Sequence, residues 1–167
     1  PNIDRLTRKG TSFTNTIATT STTTPSFASL LTGLYPPNHG IKSLSGFKLE
    51  KDIRTLAEQF KDKGYNTNAE VTGPLLPVFG IERGFDDYHC REPEETMDSE
   101  WYDKLLDRFD VLEEPWFMLL HIFDLHRGPK LELDEDIEGG NRYEKALTHI
   151  DGKLGVLVEK IDAIKNK

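Results

Sequence analysis

The sequence predicts an α/β fold, and four stretches carry that prediction. In Asp52 to Lys63, Ile53, Leu56, Ala57 and Phe60 recur at spacings of three and four, Asp52 can cap the helix and Gly64 ends it. Tyr65 to Val71 follows as a strand, so helix, glycine stop and strand form one α/β unit. Trp116 to Phe123, WFMLLHIF, has the length and apolarity of a central strand buried on both faces. Arg142 to Ile161 carries Tyr143, Leu147, Ile150, Leu154, Leu157 and Ile161 as one helical stripe.

Composition bounds what this fold can do. The chain has 167 residues, enough for one sizeable core. With 29 acidic against 21 basic residues its net charge is -8, which argues against a nucleic-acid partner. It leaves a small anionic substrate open, because a metal can reverse a local field. Cys90 is the single cysteine, so neither an internal disulfide nor a thiolate metal cluster is available. Pro1 stands where an initiator methionine would, and a longer parent protein is the expectation.

In chain order, Asn2 to Lys9 reads as a short helix with Asn2 as cap, Ile3 and Leu6 on one face and Gly10 as stop. Thr11 to Thr16 is extended around Phe13. Thr19 to Gly40, TTSTTTPSFASLLTGLYPPNHG, is a hydroxyl-rich turn feeding a helix. Thr24 is the expected cap, Pro25 the first helical residue, Phe27, Leu30 and Leu31 the apolar face, and Gly33 the stop. The threonines then lie at the positive end of the helix dipole, where an anion or a developing alkoxide is stabilised.

Leu34 to Gly46 is a loop holding His39, read as a structural histidine. Pro77 to Tyr88 contains Gly84-Phe85-Asp86-Asp87-Tyr88, with Phe85 and Tyr88 as core or supporting residues, while His89 and Cys90 are placed on the surface. Met97, Trp101, Leu105 and Phe109 recur every four residues along a helix from Trp101 to Asp110. Beyond the apolar strand comes Asp124-Leu125-His126-Arg127-Gly128-Pro129, at the carboxyl end where α/β sheets place functional side chains. His121 reads as a satisfied core histidine, with a role in the site only an outside reading, and Lys130 as a loop cation.

Several of these stretches together resemble the sulfatase and alkaline-phosphatase superfamily. Thr23-Thr24-Pro25-Ser26-Phe27, then Leu30-Leu31-Thr32-Gly33 and Tyr35-Pro36, resemble its C/S-x-P-S-R and A-x-L-L-T-G-x-Y-P signature. Leu56-Ala57 through Gly64-Tyr65, Gly84-Phe85-Asp86, the Asp124 to His126 segment, and Tyr143, Asp151 and Gly155 are similar to later family motifs, with Asp151 read as structural. The resemblance implies a three-layer α/β/α sandwich. It also implies that residues 1–167 form a partial catalytic domain, lacking the N-terminal and C-terminal metal-ligand segments and leaving sheet edges that favour self-association.

The resemblance assigns roles residue by residue. Thr23 is the implied nucleophile, with its hydroxyl a metal ligand, although Thr22 or Thr24 would serve if the turn shifted by one. His126 is the second catalytic residue, approaching the leaving-group oxygen, and Ser26, Asp124 and Arg127 bind substrate. A divalent metal (Zn, Mn, Ca or Mg) is expected in the full-length protein and none on this chain alone, which is expected to be inactive. Sulfatases carry at the Thr23 position a cysteine or serine that becomes formylglycine, and threonine is not a substrate for that modification. Phe27 replaces the signature arginine, and Val71 to Leu76 lacks the sulfate-contacting lysine and histidine of sulfatases. These departures favour phosphate (di)ester hydrolysis or phosphoryl transfer. The alternatives are a sulfuric ester hydrolase, by family, or a non-catalytic sulfatase-like domain.

Overall fold

The computed structural model describes residues 1–126, 131, 133 and 136–164. It is mixed α/β and divides into two compact units. One comprises Thr16–Pro93 and Leu112–His121, the other Pro1–Asn15, Glu94–Val111 and Ile122–Lys167.

The first of these units is built on a parallel sheet of three strands, β1 (Asn66–Val71), β2 (Asp87–Cys90) and β3 (Trp116–Leu120), in the order β2-β1-β3. Asn68 pairs with Asp87 on one side of β1, and Asn66 with Trp116 on the other. The central strand is therefore β1, buried from Thr67 onward, whereas every residue of β3 is only half-buried. This corrects the expectation for 116–123: the apolar run ends as a strand at Leu120, and β1 alone is its sheet neighbour among the described residues.

The short strand β2 is an element the sequence did not announce. Its exposure alternates, with Asp87 and His89 outward and Tyr88 and Cys90 packed against the core. Helices α2 (Thr23–Thr32), α3 (Pro36–His39) and α4 (Leu56–Lys61) complete the unit. Ala28, Leu31, Ile41, Leu49, Ala69, Val71, Leu75, Phe79 and Ile81 form one buried cluster, each larger member contributing ~1.5–3 kcal/mol by leaving water.

Helix α4 begins four residues later than expected. Its cap is Thr55, in a capping box with Glu58: the Glu58 N–H reaches Thr55 Oγ1 at 3.1 Å and the Thr55 N–H reaches Glu58 Oε2 at 2.7 Å. The preceding residues are held out of the helix by Arg83, whose guanidinium donates to the carbonyls of Glu50, Lys51, Ile53 and Gly80. Next to it Gly84, at φ +91°, lies so close to α4 that an added Cβ would sit 2.1 Å from the Glu58 nitrogen. Thr67 and Lys61 then fix Asp86, holding its carboxyl down at about 2, chiefly through the Lys61 ammonium 2.5 Å away.

The other unit contains α1 (Asn2–Lys9), α5 (Glu100–Val111) and α6 (Arg142–Ile164). Met97, Trp101, Leu105 and Phe109 are all buried, as their spacing predicts. On α6, Ile150 and Leu157 are buried, but Tyr143 and Leu147 are exposed, so the stripe faces solvent over its first turns. Asn2 is not a cap. Its backbone N–H and that of Ile3 donate to the Asp151 carboxylate at 2.8 and 2.9 Å, and its side-chain amide donates to Asp151 as well. Gly155, one turn further along α6, leaves room for that amide: a Cβ there would meet Asn2 atoms at 2.7 Å.

Asp151 is thus a structural aspartate that caps α1 from another helix. Burial alone would raise its pKa, but the N–H groups of Ile3 and Asn2 and the donors beside them outweigh it and hold it at about 2. A depressed carboxylate stabilises the fold above its unfolded value near 3.8 and loses that contribution as pH falls through about 2. Asp151→Ala is expected to lower unfolding free energy at pH 7 by about 2 kcal/mol. Its penalty should shrink below pH 3 in urea denaturation.

Candidate active site

Helix α2 presents the hydroxyl cluster. Thr22 rather than Thr24 occupies the cap position, without a side-chain cap bond, and its carbonyl accepts the Ser26 N–H at 3.2 Å. Thr23 is therefore the first helical residue and Pro25 the third, where the missing N–H costs no helical bond. Thr24 is fully buried and donates its hydroxyl to the Pro74 carbonyl at 2.9 Å. The Thr22 hydroxyl lies 3.4 Å from that of Thr20. Thr23 is half-buried, and among the described residues no hydrogen bond engages its hydroxyl. Thr23 and Ser26 are three apart and so share a face of the helix.

Leu30 is 65% exposed, which corrects its assignment to the apolar face; Ala28, Leu31 and half-buried Phe27 form that face instead. With Ser26 and Tyr35, Leu30 lines an open, mainly apolar cleft along α2. Phe27 packs edge-to-face on the His121 ring, centroids 5.0 Å apart. His121 donates from Nδ1 to the Thr72 carbonyl at 3.1 Å, and burial, reinforced by the Arg91 charge, lowers its pKa. It is a hydrogen-bonded histidine of the strand end, as its place in the apolar run implies.

His39 ties the loop after α2 to the helix. It is fully buried, and Nδ1 accepts the Ile41 N–H at 3.2 Å, so Nε2 carries the proton toward Ser29 Oγ at 3.0 Å. Ser29 was not singled out by the sequence; its place on the buried face of α2 was the available signal. Burial lowers the His39 pKa below 6.5. The unfolded chain then binds more protons below pH 6.5, so stability is full above that value and falls as pH drops toward the folded pKa. His39→Asn is expected to reduce that slope between pH 6.5 and 5 in denaturant melts, His121 supplying what remains.

The segment after β3 folds into a single tight turn. The His126 N–H donates to the Phe123 carbonyl at 3.1 Å, and their rings lie 4.5 Å apart. His126 is exposed. Asp124 is turned inward, 1% exposed, with Oδ1 accepting the Met97 N–H at 2.6 Å. Arg127 and Lys130, expected near substrate, lie outside the described residues. Among the described residues no three His, Cys, Asp or Glu side chains come together to hold a metal ion, so the Thr23 hydroxyl has no ligand set beside it there.

Residues 1–161 match the Sulfatase family. The chain is 44% identical over 90 residues to an N-acetylgalactosamine-6-O-sulfatase of Bacteroides thetaiotaomicron, covering 52% of this chain and 17% of that protein. It is 42% identical over 67 residues to an ulvan-active sulfatase of Formosa agariphila, covering 40% of the chain and 13% of the relative. An arylsulfatase H of Canis lupus familiaris is 31% identical over 132 residues, 78% of the chain and 23% of the relative. The chain thus spans less than a quarter of the length of each. These relatives give no support to the expected preference for phosphoryl chemistry and side with its sulfatase alternative.

Proposed function

Because the chain belongs to the sulfatase family, we propose that the intact protein hydrolyses sulfate esters, with Thr23 as nucleophile and His126 as proton donor. The observation that carries this reading is the exposed side of α2's first turn. Thr23 stands there at the positive end of the helix with its hydroxyl uncommitted among the described residues, while Thr24 is withdrawn into the core. In the proposed reaction Thr23 Oγ1 bonds to the ester sulfur as the bond from sulfur to the leaving oxygen breaks. That oxygen takes a proton from His126 while the Thr23 hydroxyl proton passes to solvent. Water then attacks the sulfated threonine, one of its protons passing to His126 and the other to Thr23 Oγ1 as sulfate departs. Since the described residues offer no ligand cluster, a divalent ion of the family type would draw its carboxylates from outside the described residues.

The test is turnover of an aryl sulfate against an aryl phosphodiester by the intact protein. Preferential cleavage of the sulfate supports the proposal, and preferential cleavage of the phosphodiester overturns it. A second reading, a non-catalytic sulfatase-like domain, draws on Phe27, which packs on His121 at the position of the family's arginine. That reading predicts turnover of neither ester.

A further inference from the structure

The Asp124 carboxylate has only one of its two oxygens engaged. Oδ1 takes the Met97 N–H at 2.6 Å, whereas Oδ2 is buried with no hydrogen-bond partner among the described residues. A 1% exposed side chain is poorly placed to meet an anionic ester, and its charge would repel one. What it does hold is a long-range connection within its unit: residue 97 begins the turn that leads into α5, and residue 124 begins the turn that ends at His126. The Thr96 carbonyl accepts the Ser99 N–H at 3.0 Å and the Ser99 hydroxyl at 2.8 Å, so Met97 sits on an already closed turn. Met97 is itself 1% exposed, and Trp101 and Leu105 are buried with it. The anchor is therefore part of the packed core, while the far end of the 124–126 turn carries an exposed imidazole braced by the Phe123 ring.

From this geometry we infer that Asp124 is a positioning residue for His126: its Oδ1–Met97 bond fixes the strand-end turn against the start of α5 and so sets where the imidazole projects. The inference rests on the proposed role of His126 for its functional meaning, but the positioning itself is testable without turnover. Only the acceptor oxygen matters, not the charge. Asp124→Asn, which keeps an acceptor at Oδ1, should behave like the native residue, and Asp124→Ala should not.

In the 167-residue chain, the Met97 amide should exchange slowly in the native protein and in Asp124→Asn. In Asp124→Ala it should exchange at least about tenfold faster, with the His126 ring becoming mobile by NMR relaxation. In the intact protein, Asp124→Ala should lose roughly 10²-fold in kcat on alkyl sulfates, whose leaving group needs a proton, and far less on nitrophenyl sulfate, with KM little changed. His126→Ala should reproduce that leaving-group pattern. The inference is overturned if the His126 ring stays equally ordered in Asp124→Ala, or if Asp124→Asn fails as badly as alanine. A silent His126→Ala, with the NMR results as expected, would instead remove the proton-donor role and leave the positioning in place.

Discussion

Thr23→Ala in the intact protein is expected to lower turnover of an aryl sulfate by ~10³-fold or more, because it deletes the atom that forms the covalent intermediate. Thr23→Ser keeps the hydroxyl and should stay within about tenfold of the native rate, the missing methyl costing only local order. Thr24→Ser offers the control. Its hydroxyl can still reach the Pro74 carbonyl, so a loss of activity there would have to come from packing rather than chemistry. Steady-state kinetics on the three variants decides the matter. If Thr23→Ala retains full turnover, the hydroxyl at the head of α2 is not the nucleophile. The helix itself, two of whose first three residues have an N–H to offer, since Pro25 has none, would remain intact in each variant.

Gly84→Ala is expected to be the most damaging substitution to the fold. Two costs add: a left-handed backbone at φ +91°, which a side chain strains by ~1–2 kcal/mol, and a Cβ 2.1 Å from the Glu58 nitrogen and 2.6 Å from its Cα. Backbone cannot swing away as a flexible side chain would, so overpacking adds ~1–3 kcal/mol or more. The Thr67 hydroxyl bond to the Gly84 carbonyl, 2.7 Å, and the capping box of α4 lie directly in the path of any relief. For a chain of this size the sum corresponds to a melting temperature lower by roughly 10 °C. Calorimetry of the variant, with Gly33→Ala as comparison, separates the two costs. Gly33 has a similar left-handed φ of +71° but nothing within 4 Å of an added Cβ, so it should lose only the strain. Equal losses in the two variants would show that the close approach to α4 costs nothing.

Local periodicity revealed the elements whose stabilising contacts are local or repetitive. The Met97, Trp101, Leu105 and Phe109 stripe predicted α5 because each member reaches the same core, and Asp151 was recognisable as structural from its place beside the α6 stripe. The misses share a different cause. Asp52 looks like a cap, yet Arg83, some thirty residues on, binds the carbonyls around it and leaves the start of α4 to Thr55. Asp87 to Cys90 alternates over only four residues, too short a run to announce a strand, and its register with β1 supplies the rest. In the candidate site, the threonine cluster was legible but its register was not. What withdraws Thr24 from the cluster is its burial against Pro74, a contact between residues fifty apart. Asp124 was noticed as a strand-end polar residue, while its partner is a backbone N–H, which no side-chain pattern can display.

The order β2-β1-β3 also constrains how the chain acquires its structure. The middle strand is made first, and its two neighbours lie about 20 and 50 residues downstream, joined to it in parallel. During synthesis β1 must therefore wait, one flank unpaired, until Leu120 has emerged. Closing that longer loop before any ladder bond rewards it makes this the slow step expected of non-local parallel pairing. Until then the edge of a strand destined for burial is open to other chains, and the sheet is exposed to misassociation.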